Sequence, residues 1–188
     1  AGGNGSRLFP LTKGVNKQLL PVHDKPLIYY PLTTLITAGI REICVISAPS
    51  ELAAFKEMLG SGNQFGVEID YRAQARPDGV PQAFSIASDF IDGPVALILG
   101  DNIFVDSGEI KRMVSTFKDG ARVLGYQVSN PSGFGVVEFD TFGEPIGIIE
   151  KPEQPKSKTV VPGFYVYDEK ILEISDLLKP SKRGELEI

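Results

Sequence analysis

Tryptophan is absent from this chain, and cysteine, histidine and methionine occur once, once and twice. A single cysteine, Cys44, excludes a disulfide framework within one chain, and its place in the apolar run Ile43-Cys44-Val45-Ile46 marks it as a buried strand residue rather than a reactive thiol. The lone histidine, His23, has no metal-spaced partner and reads as a loop or packing residue, which leaves no Ser/His or Cys/His arrangement for nucleophilic catalysis. No apolar stretch approaches the length that spans a bilayer, and the first residues carry neither the charged region nor the apolar core of a secretory leader. No membrane partner and a cytoplasmic location are the expectation. A net charge of −5 argues against a general nucleic-acid binder but leaves room for a cationic pocket around one small ligand. With 188 residues, 42% hydrophobic and 23% charged, and no repeat or low-complexity run, the chain is expected to form one domain.

The glycines and basic residues that are present gather near the start. The turn Gly2-Gly3-Asn4-Gly5-Ser6-Arg7 is followed by a second basic segment, Lys17-Gln18-Leu19-Leu20-Pro21-Val22. Glycines let a backbone approach an anion closely and turn successive N–H groups toward it, while Arg7 and Lys17 supply charge that amides lack. The pair reads as a clamp for a nucleoside triphosphate. It is not a P-loop, because Ser6-Arg7-Leu8 stands where a lysine and a metal-binding hydroxyl are required. It is not a dinucleotide fingerprint either: Gly3 and Gly5 match the first two glycines, but Leu8 takes the third place. Asp24, about 20 residues on, lies in His23-Asp24-Lys25-Pro26 rather than at a strand end. A plain surface loop is the alternative for an isolated Gly-x-Gly, and the arginine and lysine that follow favour the clamp.

Further along, short apolar strands alternate with helical segments. The expected fold class is therefore α/β, a Rossmann-like, mostly parallel sheet flanked by helices. Residues 42–47 read as a strand, 50–59 as a helix with Ser50 as its N-cap and Gly60 as its stop, and 67–74 as a strand. Apolar residues at helical spacing predict a helix over 80–90, and 95–99 is a continuous apolar run of the central parallel type. After a helix at 109–117 the pattern turns β-rich, with strands at 123–128, 135–139, 145–150 and 160–167. A last helix at 169–178 offers Leu172, Ile174, Leu177 and Leu178 for packing. Tyr29 and Tyr30 fall in an apolar helix with Leu27, Ile28, Leu32 and Leu35 and are read as core. Both ends read as cut, since a phosphate-type glycine turn is expected to follow a buried strand, and 184–188 brings no cap or polar tail. A piece of a longer protein is the expectation.

Asp101, at the end of the central strand, is the candidate metal ligand. Open α/β sheets bind ligands at that edge, and Mg²⁺ is held by one or two carboxylates together with phosphate oxygens and water. A helix N-cap or turn former is its alternative role. In Gln74-Ala75-Arg76-Pro77-Asp78-Gly79, Gln74 can hydrogen-bond the edge of a base while the Gly79 backbone packs close, although Pro-Asp-Gly is also an ordinary turn. Glu150-Lys151-Pro152 ends an apolar strand with opposite charges that alternation places on opposite faces. Glu150 can accept from sugar hydroxyls and Lys151 can hold a phosphate, against the alternative of solvated edge charges.

Taken together, residues 1–8, 17–21, 99–102, 134–137 and 150–152 resemble the sugar-1-phosphate nucleotidylyltransferases over essentially the whole chain, including 74–82 and 180–188. The resemblance implies a nucleotide-diphospho-sugar transferase fold, with a nucleotide-binding part at about 1–128 and a β-rich sugar-phosphate-binding part at about 129–188. It implies Mg²⁺-dependent transfer from dTTP to glucose-1-phosphate, giving dTDP-glucose and pyrophosphate for activated-sugar supply of the dTDP-rhamnose type. Uridylyl transfer from UTP, or a catalytically silent subunit of the same fold, are the alternatives. Gly2, Gly3, Gly5 and Arg7 are implied nucleotide contacts, Lys17 acts on the α-phosphate, Gln74 and Gly79 meet the pyrimidine, and Asp101 binds the metal. Gly135, Glu150, Lys151 and Arg183 face the sugar phosphate, and a homo-oligomer, a tetramer, is implied. Three departures from the family stand out: Phe134 replaces a tyrosine, the family's first strand is missing, and its second metal-binding aspartate lies beyond residue 188.

Overall fold

The computed structural model describes residues 8–106, 108–181 and 184–187. In chain order, a 3₁₀ turn at Lys17–Leu19 leads into the small hairpin β1 (Pro21–Val22) and β2 (Lys25–Pro26), then α1 (Tyr29–Thr37), β3 (Glu42–Ser47), α2 (Leu52–Leu59), β4 (Glu68–Ala73), α3 (Gln82–Ile86), β5 (Val95–Ile98) and α4 (Gly108–Ser115). The remainder is β6 (Ala121–Val123), β7 (Tyr126–Gln127), β8 (Gly135–Phe139), β9 (Pro145–Glu150), β10 (Thr159–Val161), β11 (Phe164–Tyr167) and α5 (Ile171–Leu177). The alternation of helices and strands followed by a β-rich stretch is the one expected from the apolar pattern.

Strand β3 alternates buried Ile43, Val45 and Ser47 with half-buried or exposed neighbours and pairs in parallel with β4, with α2 on the crossover. Strand β5 pairs antiparallel with β11, whose other edge takes β6. A four-stranded antiparallel sheet runs β7-β10-β8-β9. The named pairings are thus more mixed than a mostly parallel sheet.

Two of the expected strands are each divided, and both divisions move the chain from one sheet to another. The 123–128 segment breaks at Leu124-Gly125, so that β6 joins β11 while β7 joins β10. The 160–167 segment breaks at Pro162-Gly163, between β10 and β11. Proline brings no N–H to a ladder, and at Gly163 a Cβ would lie 2.5 Å from Leu99 Cδ1, so only glycine passes. Helices are shorter than periodicity suggests. The 80–90 helix ends at Ile86, because Ala87 has left helical geometry at φ −104° and ψ 17°. The cap position of α2 is Glu51, not Ser50, while Gly60 ends it at φ +55° as expected. In α5 the buried residues are Ile171 and Ser175; of the four apolar residues offered for packing, Leu172 and Leu178 are half-buried, whereas Ile174 is exposed and Leu177 is 79% exposed.

The main core lies among α1, α2, β3, α4 and β11, where Phe55, Leu59, Val67, Ile110, Met113 and Phe164 are buried. Leu27, Ile28, Leu32 and Leu35 are buried as expected; Tyr29 is half-buried, edge-on to Phe65, and the Tyr30 hydroxyl donates to the Val22 carbonyl at 2.6 Å. His23 stands exposed at the β1–β2 turn with φ +61°. Phe164 is fully buried and meets Phe104 edge-to-face at 6.1 Å, close to the end of β5. Phe164→Ala is expected to cost about 3–5 kcal/mol, the usual cost of emptying a packed aromatic site, as read from the urea unfolding midpoint at unchanged slope.

Candidate active site

Asn16 begins the site. Its side-chain Oδ1 accepts the Gln18 N–H at 2.8 Å and its carbonyl accepts the Leu19 N–H at 3.0 Å, which winds Lys17–Leu19 into a 3₁₀ turn. An asparagine at an N-cap satisfies donors that the turn cannot. The turn buries Gln18 and leaves Lys17 half-buried, with its ammonium directed to Asp101, 84 residues away. The two form an ion pair. Asp101 follows the end of β5, and Asn102 fixes it from the side: its Nδ2 donates to Asp101 Oδ1 at 3.2 Å and its Oδ1 accepts the Gly163 N–H at 3.2 Å. Asp101 is therefore a turn residue and a charged partner of the lysine at once.

Gln74 follows β4, its N–H held by the Ser47 carbonyl at 2.8 Å. Its Nε2 donates to Gln82 Oε1 at 2.7 Å, and Gln82 Nε2 donates in turn to Asp78 Oδ2 at 3.1 Å. This chain of amides fixes the Gln74 side chain on the wall of the cleft. Gly79 adopts φ +125° and bridges in parallel to Leu186, whose N–H donates to the Asp78 carbonyl at 2.7 Å. A Cβ at Gly79 would overlap the Leu186 backbone. The close approach that requires glycine here is thus to the 185–187 segment.

Glu150 and Lys151 do not point to opposite faces as alternation predicts. Lys151 turns to φ +43°, its N–H donates to the Phe134 carbonyl at 2.9 Å, and its Nζ lies 3.1 Å from Glu150 Oε1. The strand ends at Glu150, so period-2 alternation stops one residue early and the charges pair. Gly135 faces Glu150 across the β8–β9 ladder, and a Cβ there would lie 3.2 Å from Glu150 Oε2. Phe134 is exposed beside it.

Lys17, Gln74, Gly79, Asp101, Glu150 and Lys151 all line one cleft of about 910 Å³. Ile43, Cys44 and Ile46 of β3 and Ala96, Leu97 and Ile98 of β5 also line it. Gly135 borders it through Glu150, while Gly2, Gly3, Gly5, Arg7 and Arg183 lie outside the described residues. Three lining groups were not singled out from the sequence. Gln18 is 3% exposed and its Oε1 has no hydrogen-bond partner among the described residues, an acceptor in want of a donor. Tyr165 is buried, and burial together with the negative Glu150 pushes its phenol up to about 12, so that it stays a neutral hydroxyl. Glu187, on the strap that meets Gly79, accepts from the Ser181 hydroxyl at 2.6 Å. Gln18 adjoins a lysine already selected, and polar adjacency was the available signal; Tyr165 lay hidden in an apolar strand.

The family model for nucleotidyl transferases matches residues 1–188. The chain belongs to that family. Among curated relatives, a glucose-1-phosphate thymidylyltransferase of Xanthomonas campestris pv. campestris (strain B100) is 53% identical over 191 residues, covering 100% of this chain and 65% of the relative. One from Neisseria gonorrhoeae is 52% identical, covering 100% and 66%. The chain thus spans about 65% of the length of such relatives. A crystal structure described as a glucose-1-phosphate thymidylyltransferase from Bacillus anthracis, in complex with a sucrose, superposes with a TM-score of 0.89 at 42% identity, over 100% of this chain and 76% of that one. A UDP-glucose pyrophosphorylase complexed with UDP-glucose gives 0.82 at 25% identity, over 99% and 80%. This member of the family therefore shares the nucleotide-diphospho-sugar transferase fold.

In this family member the cleft carries two local tests. Gly79→Ala should displace the 185–187 strap, so limited proteolysis near the C-terminus should accelerate several-fold while far-UV circular dichroism is retained. Cys44 lies on the cleft wall, half-buried, and burial first, with the nearby Asp70 charge second, pushes its thiol up to about 11. The neutral form is favoured, so thiolate appears only as pH rises toward that value. Iodoacetamide should alkylate Cys44 at pH 8 roughly 100-fold more slowly than a free thiol, the rate climbing through pH 11.

Proposed function

We propose that the protein transfers a thymidylyl group from dTTP to glucose-1-phosphate, giving dTDP-glucose and pyrophosphate. The observation that carries this reading is the meeting of Lys17, Asp101, Gln74, Glu150 and Lys151 on one cleft, supported by relatives of that activity by name. A thymine or uracil edge offers one N–H donor flanked by carbonyl acceptors. The Gln74 amide, whose Nε2 donates to Gln82 Oε1 at 2.7 Å and to the Gly79 carbonyl at 3.5 Å, can accept from that N–H with Oε1. Lys17 takes up charge on the α-phosphate. Lys151 holds the phosphate of the sugar, and Glu150 accepts from sugar hydroxyls, with Gly135 leaving room for its carboxylate. Gly2, Gly3, Gly5 and Arg7 contribute nucleotide contacts, as the family resemblance implies, and Arg183 contributes to the sugar-phosphate side. An oxygen of the sugar phosphate attacks the α-phosphorus in line, the bond to the bridging oxygen breaks, and pyrophosphate leaves with that electron pair.

The donor set suits Mg²⁺. Asp101 supplies a hard, partly exposed carboxylate at the strand end, and the described residues hold no cluster of three or more His, Cys, Asp or Glu that would complete a site by itself. A single carboxylate with phosphate oxygens and water is the ordinary arrangement for this ion. Asp101 would hold Mg²⁺, which would supply charge neutralisation on the phosphates. The Lys17–Asp101 pair keeps both charges compensated until a triphosphate separates them. The division into a nucleotide part at about 1–128 and a sugar-phosphate part at about 129–188 follows the same assignment. No helix among the described residues is long and apolar enough to cross a membrane, and a cytoplasmic homotetramer belongs to this reading.

The test is pyrophosphate release from dTTP, UTP, ATP or GTP with glucose-1-phosphate and Mg²⁺. Release with dTTP exceeding that with UTP supports thymidylyl transfer. A preference for UTP moves the assignment to uridylyl transfer, and no release with any nucleotide makes the protein a silent member of the fold. Asp101→Asn is expected to lower Mg²⁺-dependent turnover by at least about 100-fold with an unchanged unfolding midpoint; retained turnover removes Asp101 as the metal ligand.

A further inference from the structure

The groups placed on the cleft need support, and one half-buried carboxylate connects two of them. Glu51, at the cap position of α2, receives two hydrogen bonds on its Oε2: one from Asn16 Nδ2 and one from the Ser47 hydroxyl at 3.2 Å. Asn16 is 4% exposed and Ser47 fully buried. Each donor leads directly to a residue of the site. Asn16 caps the turn that carries Lys17 and Gln18, its Oδ1 holding the Gln18 N–H at 2.8 Å. Ser47 is the last residue of β3, and its carbonyl holds the Gln74 N–H at 2.8 Å. The Lys17 turn and the Gln74 turn are therefore anchored to the same oxygen atom, although they are separated by more than fifty residues of chain.

We propose that Glu51 is a positioning residue that, through Asn16 and Ser47, sets the reacting-phosphate lysine and the base-reading glutamine relative to each other. The proposal rests on the functional reading above for the roles of Lys17 and Gln74. Its physical basis does not depend on that reading. A carboxylate accepting hydrogen bonds from two buried donors is a stiff junction, since charged bonds are shorter and stronger than neutral ones. Asparagine suits position 16 because its amide offers an acceptor toward Gln18 and a separate donor toward Glu51 at once. Aspartate keeps the cap but not the donor to Glu51. In phosphoryl chemistry, where catalysis is mostly alignment, a displacement of about 1 Å costs up to about 100-fold in rate.

The experiment exchanges the two groups. Asn16→Asp keeps an acceptor for the Gln18 N–H but sets a carboxylate against Glu51. It is expected to lower kcat for pyrophosphate release by about 10–100-fold with KM for glucose-1-phosphate changed less than about threefold. Adding Glu51→Gln restores both contacts in reverse, the amide nitrogen now at position 51 donating one hydrogen to the carboxylate now at position 16 and the other to the Ser47 hydroxyl oxygen, and is expected to bring kcat back to within about threefold of the wild type. A loss that Glu51→Gln does not rescue, or no loss, overturns the proposal. If Asn16→Asp does not fold, the double variant must fold and turn over, and its failure to do so overturns the proposal as well. A second readout is independent of turnover: amide hydrogen exchange at Gln18 and Gln74 should both quicken at least about tenfold in Asn16→Asp and return in the double variant, a concerted change that a purely local cap would not produce at Gln74. If the wild-type protein releases no pyrophosphate, the functional reading falls while this exchange result still decides whether Glu51 joins the two turns.

Discussion

The ion pair between Lys17 and Asp101 is the constraint around which the rest of the site is arranged. A cation and a carboxylate brought to one cleft each lose hydration, and neither is well placed alone. Paired, they satisfy one another at modest cost because both remain partly exposed, and pairs of this kind contribute little to stability. Their value lies in location. The pair brings a turn near the start of the chain to the end of β5, and every other group on the cleft is arranged around that junction. Under the proposed reading, a triphosphate with its metal would offer each partner a stronger counter-charge than the other does, exchanging one set of charge contacts for another.

The β-strand ends determine where such a site can be. Asp101 follows β5, Gln74 follows β4, Ser47 closes β3 and Glu150 closes β9. Side chains just past a strand end escape alternation and can turn toward a common centre, as Lys151 does at φ +43°. The two sheet switches serve the same end. By breaking at Pro162-Gly163, the chain sends β10 to the sheet that carries Glu150 and β11 to the strand that leads to Asp101. Gly163 is the hinge of that arrangement, admitting the Leu99 side chain where any Cβ would exclude it.

What could be read from the sequence followed from how local the determining forces are. Strands β3, β8 and β9 were legible to the residue because apolar spacing and turn residues decide them. That Lys17, Asp101, Gln74 and Glu150 line one cleft accords with two signals in the sequence: a basic segment after a glycine-rich turn for Lys17, and polar residues at the ends of apolar runs for the other three. The divisions of 123–128 and 160–167 were not legible, since a glycine or a proline-glycine within a strand signals a bulge, a bend or a switch equally well, and only the partner strands decide which. The exposure of Ile174 and Leu177 on α5 was not legible, because helical periodicity says which residues share a face, not whether another element covers it. Gln18, Tyr165 and the Glu51 junction depend on contacts over long separations, 35 residues for Asn16 and Glu51, that no local pattern records.

The scarcity of histidine and cysteine acquires a chemical meaning under the proposed reaction. The attacking oxygen belongs to a phosphate monoester, whose second pKa near about 6 leaves it largely dianionic at neutral pH. No proton has to be removed before attack, and pyrophosphate leaves as an anion that needs charge compensation rather than a general acid. The demand on the protein is therefore for cations, hydrogen-bond donors and alignment, which Lys17, Lys151 and the amide network of Gln74 and Gln82 supply without an activated nucleophile. The choice between thymine and uracil rests on one methyl group, worth about 1–3 kcal/mol in an apolar contact. Under that reading nucleotide preference would rest on an apolar contact with the methyl group, whereas the reaction class would rest on charge.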